Sequence, residues 1–228
     1  MCVNASSIQT NALRDGATGL SRDGQVVYRG VGLGAFAEYV LTPATGAVKV
    51  PADVPLAIAC VIGCAVQTGV GAVLNTARVE EGATVLVMGL GGIGLSIVQG
   101  ARLAGASRIL ASDPIAARRQ AAARLGATDL IDPSTEDVLA RTMELTGVGA
   151  DYAFEVIGHA KTIRQAYESV RKGGSAVIVG LAAQDERAEL VEVLPLLSGS
   201  FNGDLEHKTG IRLRWQGVNL SAGTLPRP

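Results

Sequence analysis

Histidine and cysteine are scarce in this chain, with two His and three Cys among 228 residues. Cysteines at 2, 60 and 64 make neither a disulfide framework nor a complete zinc site of their own. Stability must therefore come from a packed core, and a reducing, cytoplasmic setting is expected. Charge is equally sparse, at 18% charged residues and a net charge of −1. Neither nucleic acid nor an anionic membrane is expected as a partner on that balance, and small molecules are the default. The first residues have no basic start followed by an apolar stretch, which argues against a secretory leader. Long uncharged runs are rare, but residues 54–77 carry no charge over a length that could cross a bilayer. Pro55, Gly63, Gln67, Thr68, Gly69 and Gly71 interrupt this run, so two buried soluble helices joined at Gly63–Cys64 are expected instead.

What is abundant is glycine, 29 residues, and small aliphatics within a 48% hydrophobic total, with aromatics at only 4%. That balance fits an α/β domain better than a disordered chain or a coiled coil. Residues 1–30 are polar and weakly periodic, and read as loop or irregular β structure. After Gly34, AFAEYVLTP and AVKVP predict two short strands punctuated by Gly and Pro. From there β-branched runs alternate with helical patterns, the mark of βαβ units on a parallel sheet. The predicted strands are Thr84–Met88, Arg108–Ala111, Asp129–Ile131, Tyr152–Val156 and Ala176–Val179. Helices are predicted around Gly92–Ala104, Ile115–Leu125, Glu136–Leu145 and Thr162–Val170. A sixth strand near Ser200–Gly203 would complete a doubly wound Rossmann sheet, with little regular structure after Asp204. The expected division is a β-rich remnant over 1–52, a nucleotide-binding domain over 53–204 and an irregular tail over 205–228.

The most specific local signal is Gly89, Gly91 and Gly94, a G-x-G-x-x-G at the end of an apolar strand and the start of an Ala-rich helix. Its glycines serve a tight turn, backbone approach to a pyrophosphate and close helix–strand packing. Gly92 and Ile93 lie inside it, on the turn whose amides would face the phosphates. Asp113 closes the second strand nineteen residues after Gly94. An acid there can accept both ribose hydroxyls of an adenosine and repel a 2′-phosphate, so NAD is expected over NADP. The alternative is a glycine-rich turn with Asp113 as a helix cap before Pro114, but strand, glycines, helix, second strand and acid are all in register. Arg118, one turn into the next helix, is either a contact for the adenosine ribose or phosphate, or a solvated helix charge beside Arg119.

CVIGCAVQTGVGAV (60–73), VMGLGGIGLS (87–96), FEVIG (154–158) and SAVIVGL (175–181) together resemble the zinc-dependent alcohol dehydrogenases of the medium-chain dehydrogenase/reductase superfamily, closest to the class III, formaldehyde-type enzymes. The resemblance runs from Cys2 to about Gly203. It implies hydride transfer between an alcohol or aldehyde and NAD, assisted by zinc, and a GroES-like β-rich catalytic domain of which residues 1–52 are a remnant. It assigns Cys64 as one of three protein ligands of a catalytic zinc, where the residue pattern alone suggests a small buried hydrophobe. It assigns Cys2 as one of four structural-zinc ligands, and leaves Cys60 a core residue. Thr68 would lie near the nicotinamide, in the catalytic region. Ile93 would pack on the cofactor, and Val156, Ile157, Val179 and Gly180 would line its nicotinamide half, although the apolar ones are equally suited to the core. His159 and His207 read as ordinary surface or helix-end residues.

The family's remaining zinc ligands have no match in this sequence. The expectation is therefore an impaired or inactive dehydrogenase whose ends reflect truncation, frameshift or gene-model error. One alternative is a non-catalytic NAD-binding fragment or pseudoenzyme. Another is a zinc-free quinone-reductase-like enzyme, which Cys64 in its I-G-C context counts against. The resemblance also implies a homodimer paired through the last strand of the sheet.

Overall fold

The computed structural model describes residue 12 and residues 16–29, 33–40, 42, 44, 47–181 and 212–215. The chain divides into two compact units, Met1–Pro55 and Leu56–Pro228. In the first, β1 (Ser21–Arg22) and β2 (Gln25–Val26) form an antiparallel hairpin. Asp23 and Gly24 both take positive φ, at 50° and 76°, the backbone of a tight two-residue hairpin turn that Asp-Gly favours. The hairpin falls where the sequence suggested loop or irregular β structure. The two strands expected after Gly34 are not seen among the described residues there, which form bends and irregular backbone. Phe36 and Tyr39 are fully exposed. Their apolar run has no described strand to supply the cross-strand hydrogen bonds that make a strand.

The second unit opens with α1 (Leu56–Ala77), one continuous helix rather than two. Two π-helical turns, Ile62–Val66 and Ala72–Ala77, take up the irregularity at Gly63 without breaking it. Its burial is also uneven. Leu56, Ile58, Val61 and Ile62 are exposed, whereas Ala72, Val73 and Ala77 lie in the core. By length and composition this helix could cross a membrane. Its C-terminal half instead packs into the core of the unit.

The βαβ units then follow: β3 (Thr84–Met88), α2 (Gly92–Leu103), β4 (Arg108–Ser112), α3 (Ala116–Leu125), β5 (Asp129–Ile131), α4 (Val138–Thr146), β6 (Ala150–Glu155), α5 (Ala160–Glu168), β7 (Val170–Ile178) and β8 (Arg212–Trp215). The sheet order is β5-β4-β3-β6-β7-β8, parallel at every pairing. Numbered from β3 this is 3-2-1-4-5-6, the Rossmann order, with its topological switch between β3 and β6.

The central strand shows why this sequence folds so. In β3, Val85 and Val87 face a layer with Val73 of α1, Ile97, Val98 and Ala101 of α2, and Ala122 of α3. Leu86 and Met88 face the opposite layer, with Val138 of α4 and Ala166 of α5. An unbroken apolar run is what a parallel strand covered on both faces requires. Each such side chain contributes about 1.5–3 kcal/mol on burial.

The sixth strand, Arg212–Trp215, lies where little regular structure was expected, and pairs with β7 from Ser175↔Arg212 to Ile178↔Trp215. The sequence 211–215, IRLRW, alternates apolar residues with arginine, the period of a strand. The segment Ser200–Gly203, where the sixth strand was expected, lies outside the described residues.

Candidate functional site

The switch point gathers three loops. The first leaves β3 at Gly89, whose φ of +94° closes the turn. A Cβ on Gly94 would collide with the carbonyl oxygen of Gly89, so α2 can start this close to the strand only with glycine. Gly91 is different: it is exposed, and a Cβ there would meet nothing within 4 Å. The folded chain has no steric need for glycine at that position. Gly91 also caps α2 without any side-chain hydrogen bond, and the first helical amides, at Gly92, Ile93 and Gly94, have no acceptor within the helix. Open space, uncapped amides and the positive end of a helix dipole fit an anion such as a pyrophosphate.

Asp113, 3% exposed, sits at the tip of β4. The Leu90 amide donates to its Oδ2 at 2.9 Å, and the Ile115 amide donates to its Oδ1 at 2.8 Å. The carboxylate therefore ties the glycine turn to the loop after β4. Arg118, half exposed, reaches Oδ2 at 3.4 Å. Arg119 is the more firmly held, donating to the Asp113 carbonyl at 2.6 Å and pairing with Asp132 at 2.8 Å. Asp132 is held below the ordinary carboxylate range, chiefly by the Ser134 backbone amide that donates to it, with smaller help from the Ser134 side chain and Arg119.

The third loop follows β6. The Val156 amide donates to the Met88 carbonyl at 2.9 Å, and Ile157 presses on the glycine turn, its Cγ1 lying 2.8 Å from where a Gly89 Cβ would be. Ile157 is 49% exposed, whereas Val179, at 8%, belongs to the core. Val156 and Ile93 are partly buried against that core. Gly180 is buried, and a Cβ on it would run into the backbone of Gly158.

α1 is drawn against the same place. A Cβ on Gly69 would lie 2.6 Å from both the Ile93 carbonyl oxygen and the Ser96 Cβ. Ala65 comes within 3.4 Å of where a Gly92 Cβ would be. Thr68, partly buried, therefore stands on the helix that flanks the first turn of α2.

Cys64 lies on a π-helical turn and is exposed. Cys60 is exposed too, which corrects its assignment to the core, because this half of α1 is not packed under the sheet. Cys2 and His207 lie outside the described residues. His159 caps α5, its Nδ1 accepting from the Lys161 amide at 3.4 Å. Among the described residues no group of three His, Cys, Asp or Glu could hold a metal ion. A catalytic zinc needs three protein ligands, so these residues do not by themselves fit one.

The sequence reasoning passed over Glu155, which is wholly buried at the end of β6 and carries the β6 loop. A lone acid inside the apolar stretch Ala153–Ile157 was the available signal, since a buried charge must be given partners.

A six-stranded 3-2-1-4-5-6 sheet with an open, amide-lined glycine turn at its switch point defines a Rossmann-type α/β protein. The profile of the zinc-binding dehydrogenase family matches residues 92–206, and the chain belongs to that family. It is 40% identical over 186 residues to the S-(hydroxymethyl)glutathione dehydrogenase of Synechocystis sp., covering 80% of this chain and 50% of that protein. It is 38% identical over 169 residues to the enzyme of the same name from Saccharomyces cerevisiae, covering 72% of this chain and 44% of that one. This chain thus spans about half the length of the curated relatives it matches. Among solved structures, an alcohol dehydrogenase zinc-binding domain protein from Burkholderia ambifaria matches with a TM-score of 0.79 and 31% identity, over 94% of this chain and 56% of that one. Benzyl alcohol dehydrogenase from Acinetobacter calcoaceticus matches with a TM-score of 0.73 and 26% identity, over 94% and 58%.

Proposed function

We propose that the unit from Leu56 onward binds NAD and serves a dehydrogenase that moves hydride between NAD and an alcohol or aldehyde. The observation that carries this reading is Gly91, an exposed glycine that the fold does not require, set among uncapped helix amides at the switch point. The amides of Gly91, Gly92, Ile93 and Gly94 receive the pyrophosphate, with α2's dipole favouring its charge. Asp113 accepts from the adenosine ribose. A carboxylate offers about four lone-pair positions and its protein partners here leave room for more, with exposed Arg118 the partner that gives way. Thr68, Val156, Ile157 and Gly180 surround the nicotinamide half, and Val179 supports them from the core. When bound, NAD supplies the hydride acceptor.

The relatives' names support an alcohol-type substrate and a zinc-assisted reaction. Cys64 is the thiolate this chain would bring to a zinc, and the described residues add no others in place. A second reading, a dinucleotide-binding protein without alcohol turnover of its own, is favoured by that ligand shortfall. The same reading expects a cytoplasmic protein.

Calorimetry tests the first claim. The 228-residue chain is expected to bind NAD, and Asp113→Asn to weaken it about tenfold while narrowing the preference over NADP, the worth of a hydrogen bond to a charged group. No binding at millimolar NAD would overturn the proposal.

A further inference from the structure

We infer that Glu155 is a positioning residue that holds the loops after β6 and β7 in register for the second half of the dinucleotide. The inference rests on the NAD reading above. In a doubly wound sheet the dinucleotide crosses the switch point, one mononucleotide on each side. With the pyrophosphate turn on β3 and Asp113 on β4, the other nucleotide falls over β6 and β7. Glu155 is the last residue of β6, next to that switch, and has no exposed surface.

Its contacts are directed at those two loops. The Ile157 amide donates to its Oε1 at 3.0 Å, the Gly158 amide at 2.8 Å, and the Thr162 hydroxyl from the first turn of α5 at 2.7 Å. Its backbone carbonyl accepts from the Val179 amide at 2.8 Å and the Gly180 amide at 3.0 Å. One residue thus anchors the β6 loop with its side chain and the β7 end with its main chain. The other carboxylate oxygen, Oε2, is shut off from solvent without a partner among the described residues, 2.7 Å from where a Cβ of Gly180 would lie. Gly180 and Gly158 meet backbone to backbone in front of it, and a Cβ on Gly158 would strike the Leu181 carbonyl. A buried carboxylate with one unsatisfied oxygen is a poor device for stability alone. Its use is geometric: three donors converge on one point and fix where Ile157, an exposed residue of the loop, stands over Gly89.

The test compares ligands that end on either side of the switch. NAD and ADP are titrated calorimetrically into the wild-type chain, Glu155→Leu and Glu155→Gln. ADP needs only the glycine turn and Asp113, whereas NAD needs both loops. Glu155→Leu is expected to weaken NAD at least tenfold, about the worth of one lost charge-assisted hydrogen bond, and ADP less than threefold. Glu155→Gln retains an acceptor oxygen for the three donors and is expected to recover most of the loss. Amide hydrogen exchange on the unliganded wild type is expected to show Ile157 and Gly158 protected, and Glu155→Leu to release them selectively. Equal losses of NAD and ADP affinity, or no loss of either, would overturn the positioning role while leaving the NAD reading intact, as would unprotected Ile157 and Gly158 in the wild type. Should Glu155→Leu not fold, Thr162→Val removes one donor, and a NAD affinity unchanged relative to ADP would count against the role. Wild-type protein that binds neither ligand would sink the NAD reading, and this inference with it.

Discussion

Single residues in the glycine turn separate folding from binding. Gly94 is demanded by the fold, because a Cβ would collide with the Gly89 carbonyl. Gly94→Ala is expected to cost about 1–3 kcal/mol or more, lowering Tm by roughly 2–12 °C in a thermal melt. Gly91 has no such neighbour and an ordinary φ of −72°, so Gly91→Ala is expected to lower Tm by only a few degrees, the modest cost of alanine in place of glycine at a helix N-cap. The same variant should weaken NAD binding about tenfold, since the added methyl stands where a phosphate would approach. A Gly91→Ala protein that bound NAD normally would remove the pyrophosphate from this turn.

At the level of elements, α1 is seated by glycine. Gly69 lets it touch the Ile93 carbonyl and Ser96, and Gly100 of α2 receives Val73 and Val70. Gly69→Ala forces the helices apart, and should lower both Tm and NAD affinity, because the first turn of α2 moves with the contact. A change in Tm alone would show that α2 keeps its place. The end of β5 carries a pH-sensitive tie. Asp132 accepts from the Ser134 amide and pairs with Arg119, and these partners depress its pKa below the usual value near 3.9. A depressed carboxylate contributes stability above its unfolded pKa and loses it as pH falls through the folded one. Denaturant melts between about pH 5 and pH 2 are therefore expected to show a shallower acid loss in Asp132→Asn than in the wild type. Equal slopes would mean that the pairing does not differ between folded and unfolded chains.

For the whole molecule, the proposed zinc-assisted dehydrogenase chemistry would depend on how many zinc ligands come together. Cys64 is exposed, and no further group among the described residues completes a metal site. The 228-residue chain loaded with zinc is expected to bind NAD without oxidising simple alcohols at rates above about 1 s⁻¹, the low end of ordinary enzymes. Steady-state formation of NADH from ethanol, benzyl alcohol or a thiol–formaldehyde adduct would count against this. Among the described residues β8 is one of the two edge strands of the sheet, with β5 the other, and an edge strand invites a second copy. Light scattering is expected to give twice the chain mass, and a monomer would leave that edge unpaired.

Local pattern made most of the second unit legible in advance. Thr84–Met88 and Asp129–Ile131 coincide with the expected strands, because buried parallel strands appear as short β-branched runs bounded by turn residues. The glycine motif and Asp113 were likewise readable, since a tight turn, a close approach and a strand-end acid each demand a particular residue type at a particular spacing. The sequence by itself therefore determined the βαβ order and the glycine turn between β3 and α2. Tertiary structure alone decided that α1 is one helix buried along only half its length, that the sheet ends in Arg212–Trp215, and that Glu155 ties two loops together. Burial, strand partnership and convergent hydrogen bonds join residues far apart in the chain, and no local period encodes which of them will meet.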